Sequence, residues 1–116
     1  MMNWLLLESG LLLTLSPDQH RHRIEGYKQL SFAKDYSGLA FADTNGDKLW
    51  VISDDSKSVY LYQPATSQII AKTKLRNHKG KKYSSGEGIA FDPERSLLYV
   101  VTDKKHDFYR YRVTLP

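Results

Sequence analysis

The 116-residue chain contains no cysteine, which excludes disulfide frameworks, thiolate zinc sites and cysteine nucleophiles. Either redox environment suits such a chain, so its compartment stays open. It has no apolar run of 18 residues, so no helical membrane span is expected. No segment of ten or more residues carries a clean 3.6-residue hydrophobic period, which argues against amphipathic helices. Ser9, Ser37 and Ser53 lack a Gly-x-Ser-x-Gly context, so no nucleophile elbow is expected. The glycines of Ser84-Ser85-Gly86-Glu87-Gly88 precede no helical pattern, which removes the phosphate-loop reading. What the chain does have is 41% hydrophobic and 26% charged residues. That composition fits one folded domain and is neither disordered nor collagen-like.

The leucine-rich stretch from Met1 to Leu15 is interrupted by Glu8-Ser9-Gly10. No Lys or Arg precedes it and no small-residue cleavage site follows it, unlike a signal peptide. It reads instead as two short strands around a Ser-Gly turn. Charge is uneven: residues 1–58 are net −2 and residues 59–116 net +6, with the excess at Lys72, Lys74, Arg76, Lys79, Lys81 and Lys82. Lys72, Lys74 and Arg76 alternate with Thr73 and Leu75, the pattern that protects an outer strand from stray pairing. Lys79–Lys82 around Gly80 read as a solvated loop. With no recognition motif, nucleic acid is not an expected partner.

Short runs rich in β-branched and aromatic residues dominate: Leu49–Ile52, Val59–Tyr62 and Leu97–Val101. Asn45-Gly46 supplies a tight hairpin turn, and Pro17-Asp18 and Asp92-Pro93 punctuate similar connections. The chain also repeats itself. Ser37-Gly38-Leu39-Ala40-Phe41 recurs as Glu87-Gly88-Ile89-Ala90-Phe91, 50 residues on. Trp50–Asp54 recurs as Tyr99–Asp103, and Tyr60-Leu61-Tyr62 as Tyr109-Arg110-Tyr111, each 49 residues on. A weaker copy, Trp4–Glu8, lies 46 residues before Trp50–Asp54. Four short strands in 40–50 residues are the signature of a β-propeller blade.

The expected fold is therefore all-β, with four-stranded antiparallel blades forming part of a β-propeller. A partial blade is expected at 3–34, a complete blade at 35–84 and a second partial blade at 85–116. In the complete blade, the four strands, A to D in chain order, fall at 38–42, 48–53, 58–63 and 68–75. The last copy supplies A at 88–92, B at 97–102 and C at 108–113. The first supplies B at Trp4–Leu7, C at Leu11–Leu15 and D at Ile24–Leu30. The chain as given thus begins inside one blade and ends inside another. Exposed sheet edges and uncovered outer faces, with Trp4 and Tyr99 among their aromatics, lead us to expect a homodimer.

Asp35-Tyr36-Ser37-Gly38-Leu39-Ala40, Leu49–Asp54 and Glu87-Gly88-Ile89-Ala90 together resemble the SdiA-regulated β-propeller family. That family is akin to phytase-esterase-like and strictosidine-synthase-like propellers. The resemblance covers most of residues 3–113 and implies a ring-forming fold in a mostly extracytoplasmic family, many of whose members have no assigned activity.

In an up-and-down blade, the connection into A and the turn from B to C emerge on the same side. Asp35 and Glu87 are expected just before A strands; Glu8, Asp54, Asp55 and Asp103 just after B strands. Their carboxylates would gather on one side of the molecule. Hard oxygen donors of this kind suit Ca²⁺ or Mg²⁺, with Asp35, Asp54, Glu87 and Asp103 as candidate ligands for a metal or a small polar molecule. Turn capping, in which each carboxylate bonds its own following N–H groups, explains the same recurrence. His20-Arg21-His22 offers an incomplete metal pair, and His78 and His106 sit in basic loops. The blade-repeating aromatics Trp50, Tyr60, Tyr62, Tyr99, Tyr109 and Tyr111 read as packing between sheets. The function expected is a non-enzymatic binding or scaffold module. The alternative is a metal-dependent ester or phosphoester hydrolase of the phytase-esterase-like type, using a metal-activated water.

Overall fold

Three antiparallel sheets stack in chain order to form an oblong body of 46 × 29 × 28 Å. The computed structural model describes residues 3–17, 22–43, 47–55, 57–75, 86–102 and 108–114, and no helix occurs among them. The first sheet pairs β1 (Asn3–Leu6), β2 (Leu11–Pro17) and β3 (His22–Gln29). The second orders β4 (Tyr36–Phe41), β5 (Leu49–Ser53), β6 (Ser58–Gln63) and β7 (Gln68–Lys74) in chain sequence. The third pairs β8 (Gly86–Asp92), β9 (Leu97–Thr102) and β10 (Phe108–Arg112). This is the blade architecture of a β-propeller, with strands close to their expected positions.

Local chemistry accounts for the turns. The Ser9-Gly10 turn forms as expected: the Gly10 N–H donates to the Leu7 carbonyl at 2.8 Å with Gly10 at φ +98°. A Cβ there would lie 2.6 Å from the Leu30 carbonyl oxygen, so only glycine fits. Between β8 and β9, Asp92 accepts from the N–H groups of Glu94 and Arg95 and pairs with the Arg95 guanidinium at 2.9 Å. The hydrogen bond from Arg95 holds the Asp92 carboxyl below the usual carboxylate range. The Asn45-Gly46 hairpin, the Lys79–Lys82 loop, His20, His78 and His106 lie outside the described residues.

The sheets meet in two apolar seams. Between the first and second, Leu12, Leu49, Val51, Tyr60 and Tyr62 are buried, with Trp4, Leu6 and Phe41 packed against them. Between the second and third, Trp50, Ile52, Val59, Leu61, Leu98 and Val100 are buried, with Ile89, Phe91, Tyr109 and Tyr111 packed against them. The Phe91 and Trp50 rings lie 5.5 Å apart. Period-two alternation thus sends odd and even residues of β5 into different seams. Gly38 marks the tightest approach: a Cβ there would lie 2.7 Å from Ile52 Cγ2 and 3.0 Å from Ile89 Cγ2 of the third sheet.

Two expectations need correction. Trp4 is half-buried against the first seam and does not face solvent, because its strand turns even-numbered side chains inward. Glu87 lies inside β8 and not ahead of it. There it occupies a register shift between Gly86 and Gly88, the counterpart of the shift between Tyr36 and Gly38. β7 is the outer strand, as its alternating lysines predict. Its Lys72 ammonium lies 5.4 Å from the Tyr60 ring centroid, in cation–π range.

Candidate functional site

Three connections converge on one side of the first seam. Glu8 lies in the turn from β1 to β2, Asp35 immediately before β4 and Asp54 immediately after β5. Backbone hydrogen bonds tie them together. The Tyr36 N–H donates to the Glu8 carbonyl at 3.1 Å, and the Asp54 N–H donates to the Asp35 carbonyl at 2.9 Å. The Ser53 hydroxyl donates to the Lys34 carbonyl, anchoring the connection that carries Asp35. Asp35 sits at φ +51°, a left-handed conformation that Asp and Asn tolerate better than most residues.

The result is an open cavity of about 400 Å³ lined by Glu8, Asp35, Tyr36, Ser37 and Asp54. Glu8 and Asp35 are exposed, while Asp54 is partly buried and forms an ion pair with Lys57 at 2.9 Å. Lys57 lies three residues on in the same turn, and its N–H donates to the Asp54 carbonyl at 3.3 Å. Asp54 is therefore partly engaged in its own turn, whereas Glu8 and Asp35 give the cavity its negative character. Tyr36 is buried, accepts the Ala33 N–H at 2.8 Å and meets Phe32 edge-on with centroids 5.4 Å apart. Burial pushes its phenol up, against the opposing pull of the Ala33 hydrogen bond.

Of the four candidate ligands named from sequence, the structure brings Asp35 and Asp54 together. The Glu87 side chain and all of Asp103 lie outside the described residues. Among the described residues, no three His, Cys, Asp or Glu side chains converge as a metal ion would require. Oxygen-rich and open, the cavity is chemically suited to ligands with several hydrogen-bond donors. Tyr36 and Ser37 were missed as lining residues. Ser37 was detectable in the repeat, where it aligns with Glu87, so the acidic residue of the third sheet corresponds to a hydroxyl in the second.

Two more cavities flank the seams. One of about 450 Å³ lies beside Lys28, which reaches the Pro64 carbonyl and the Ser67 hydroxyl of the second sheet. The other, of about 370 Å³, lies beside Trp50, Leu98 and Tyr111. The buried Trp50 Nε1 has no acceptor among the described residues. Burial also raises the Tyr111 phenol to about 12.

The sequence model of the SdiA-regulated family matches residues 9–112. No curated protein matches the chain by sequence. Among solved structures, the β-propeller domain of Myceliophteria thermophila Cps50 (Swd1) is similar at a TM-score of 0.68 and 13% identity, over 96% of this chain and 36% of that one. Glutaminyl cyclase of Myxococcus xanthus is similar at a TM-score of 0.75 and 14% identity, over 96% of this chain and 44% of that one. Hydrazine synthase of Kuenenia stuttgartiensis is similar at a TM-score of 0.51 and 19% identity, over 84% and 27% respectively. This chain therefore spans less than half the length of each of these structures, and the likeness concerns the fold alone.

Proposed function

The chain belongs to the SdiA-regulated family, and from that premise we propose that it acts as a binding module of β-propeller type. Its ligand is a small polar molecule carrying several hydrogen-bond donors, held where Glu8, Asp35 and Asp54 line one cavity. The observation that carries this reading is that acidic residues from three separate connections line the same space of about 400 Å³. Turn capping alone would not require a shared cavity, and the Asp54 carboxylate contact given by the structure is to the Lys57 ammonium.

Thermal unfolding tests the proposal, because a ligand that binds only the folded state raises its melting temperature by mass action. A panel of small amines and polyols at millimolar concentration should raise Tm. The combined Asp35→Asn and Asp54→Asn variant should lose the increment while melting normally without ligand. No shift with any probe, or the same shift in the variant, overturns the reading and leaves the carboxylates as turn caps.

A further inference from the structure

Five of the seven exposed large hydrophobic side chains among the described residues, all but Leu7 and Ile69, fall into two sets. Leu5, Ile24 and Tyr27 lie on the outer face of the first sheet, and Val101 and Phe108 on the outer face of the third. Strand register makes each set one surface. Leu5, Leu13 and Tyr27 pair across β1, β2 and β3, and Val101 pairs with both Gly88 and Phe108. Tyr27 is 74% exposed and Phe108 63%. Contiguous apolar surface of this kind marks an interaction site.

The repeat shows that the two faces are different and complementary. In the second sheet, the side bearing Trp50 and Ile52 packs on the third sheet, and the side bearing Leu49 and Val51 packs on the first. Their counterparts 49 residues on are Tyr99 and Val101, on the free face of the third sheet, and Leu98 and Val100, on its covered face. In the first sheet, Trp4 and Leu6 correspond to Trp50 and Ile52 and are covered, whereas Leu5 corresponds to Val51 and is free. The free face of the third sheet is therefore the kind that packs on a following sheet, and that of the first is the kind that packs on a preceding one. Gly88 supports this. It repeats Gly38, which admits Ile89 of the next sheet, and lies on the free face with a Cβ position 2.8 Å from Val101 Cγ2.

We propose that a second copy of this chain covers these faces head to tail, the third sheet of each copy packing on the first sheet of the other. The contact continues the sheet-on-sheet packing already present twice within the chain. Two such contacts related by a two-fold axis close a ring of six sheets. The similar solved propellers are more than twice this chain's length, so two copies approach their extent.

Light scattering across a size-exclusion peak, at tens of micromolar, should give the mass of two chains. Tyr27→Asp or Phe108→Asp should each yield a monomer, since either change spoils both contacts of the ring. Both positions are solvent-facing in the single chain, and an unchanged melting curve in a dilute sample checks that each variant folds. Mixing the two variants should restore a two-chain species, because one contact then joins two intact faces. Several outcomes overturn the proposal: a monomeric wild type, a dimer that survives Phe108→Asp, no recovery on mixing, or an open-ended polymer. A monomer leaves these faces to sheets from another source, and an insensitive Phe108 points to pairing of first sheets face to face.

Discussion

The central sheet and its two neighbours are built from one repeated motif, yet water treats them differently. β5 is buried at all five positions and β6 at five of six, whereas β10 alternates between exposed and half-buried along its whole length. The matching strands β5 and β9 carry residues similar in kind, Trp50-Val51-Ile52 and Tyr99-Val100-Val101, yet Ile52 is buried and Val101 exposed. What differs is the number of covered faces. A sheet with neighbours on both sides uses every side chain as core, and a sheet with one neighbour uses alternate ones. Stability should therefore be concentrated in β5 and β6, with the outer faces of the end sheets nearly silent in a single chain.

The largest effect that sharpens this contrast is a pair of leucine truncations. Leu61 is 1% exposed within the second seam, and Leu61→Ala should cost about 2–5 kcal/mol in denaturant unfolding. Leu5, at 46% exposure on the free face of the first sheet, should lose less than about 1 kcal/mol as Leu5→Ala when measured on the dissociated chain. Equal costs would mean that the outer face is already covered within one chain.

A smaller effect separates two glycines. Gly38→Ala places a methyl group 2.7 Å from Ile52 Cγ2 and 3.0 Å from Ile89 Cγ2, and overpacking of a seam costs about 1–3 kcal/mol. Gly26, in β3, has nothing within 4 Å of its Cβ position. Gly26→Ala should be neutral or stabilising by a few tenths of a kcal/mol, through the unfolded chain. A harmless Gly38→Ala would show that the second and third sheets are not held at this spacing in solution.

The smallest effect concerns the second seam at high pH. Burial pushes the Tyr111 phenol up to about 12 from its ordinary value of 10.0, so the folded protein keeps a proton that the unfolded chain releases first. Stability from this source is complete below pH 10 and falls as pH rises toward 12. Tyr111→Phe should flatten the decline in urea midpoint across that interval. An unchanged slope would place the Tyr111 hydroxyl in water.

Much of this was legible beforehand for a local reason. Strand positions follow from period-two runs and from turn residues such as Ser9-Gly10 and Asp92-Pro93, whose preferences act within a few residues. The convergence of Asp35 and Asp54 followed from blade topology. Two placements escaped. The linear alternation puts Glu87 ahead of its strand because a register shift is invisible in it. The burial of Trp4 is not legible there, because a strand pattern separates two faces without saying which is covered. Alternation, turns and the 49-residue repeat are written in the chain itself: they set the strands, their order and the sheet class. Only the stacked sheets decide which face of each strand is core, that Tyr36 and Ser37 join Glu8, Asp35 and Asp54 around one cavity, and that Tyr27 and Phe108 meet water. Those outcomes depend on neighbours far apart in sequence, and burial is a property of the assembled packing.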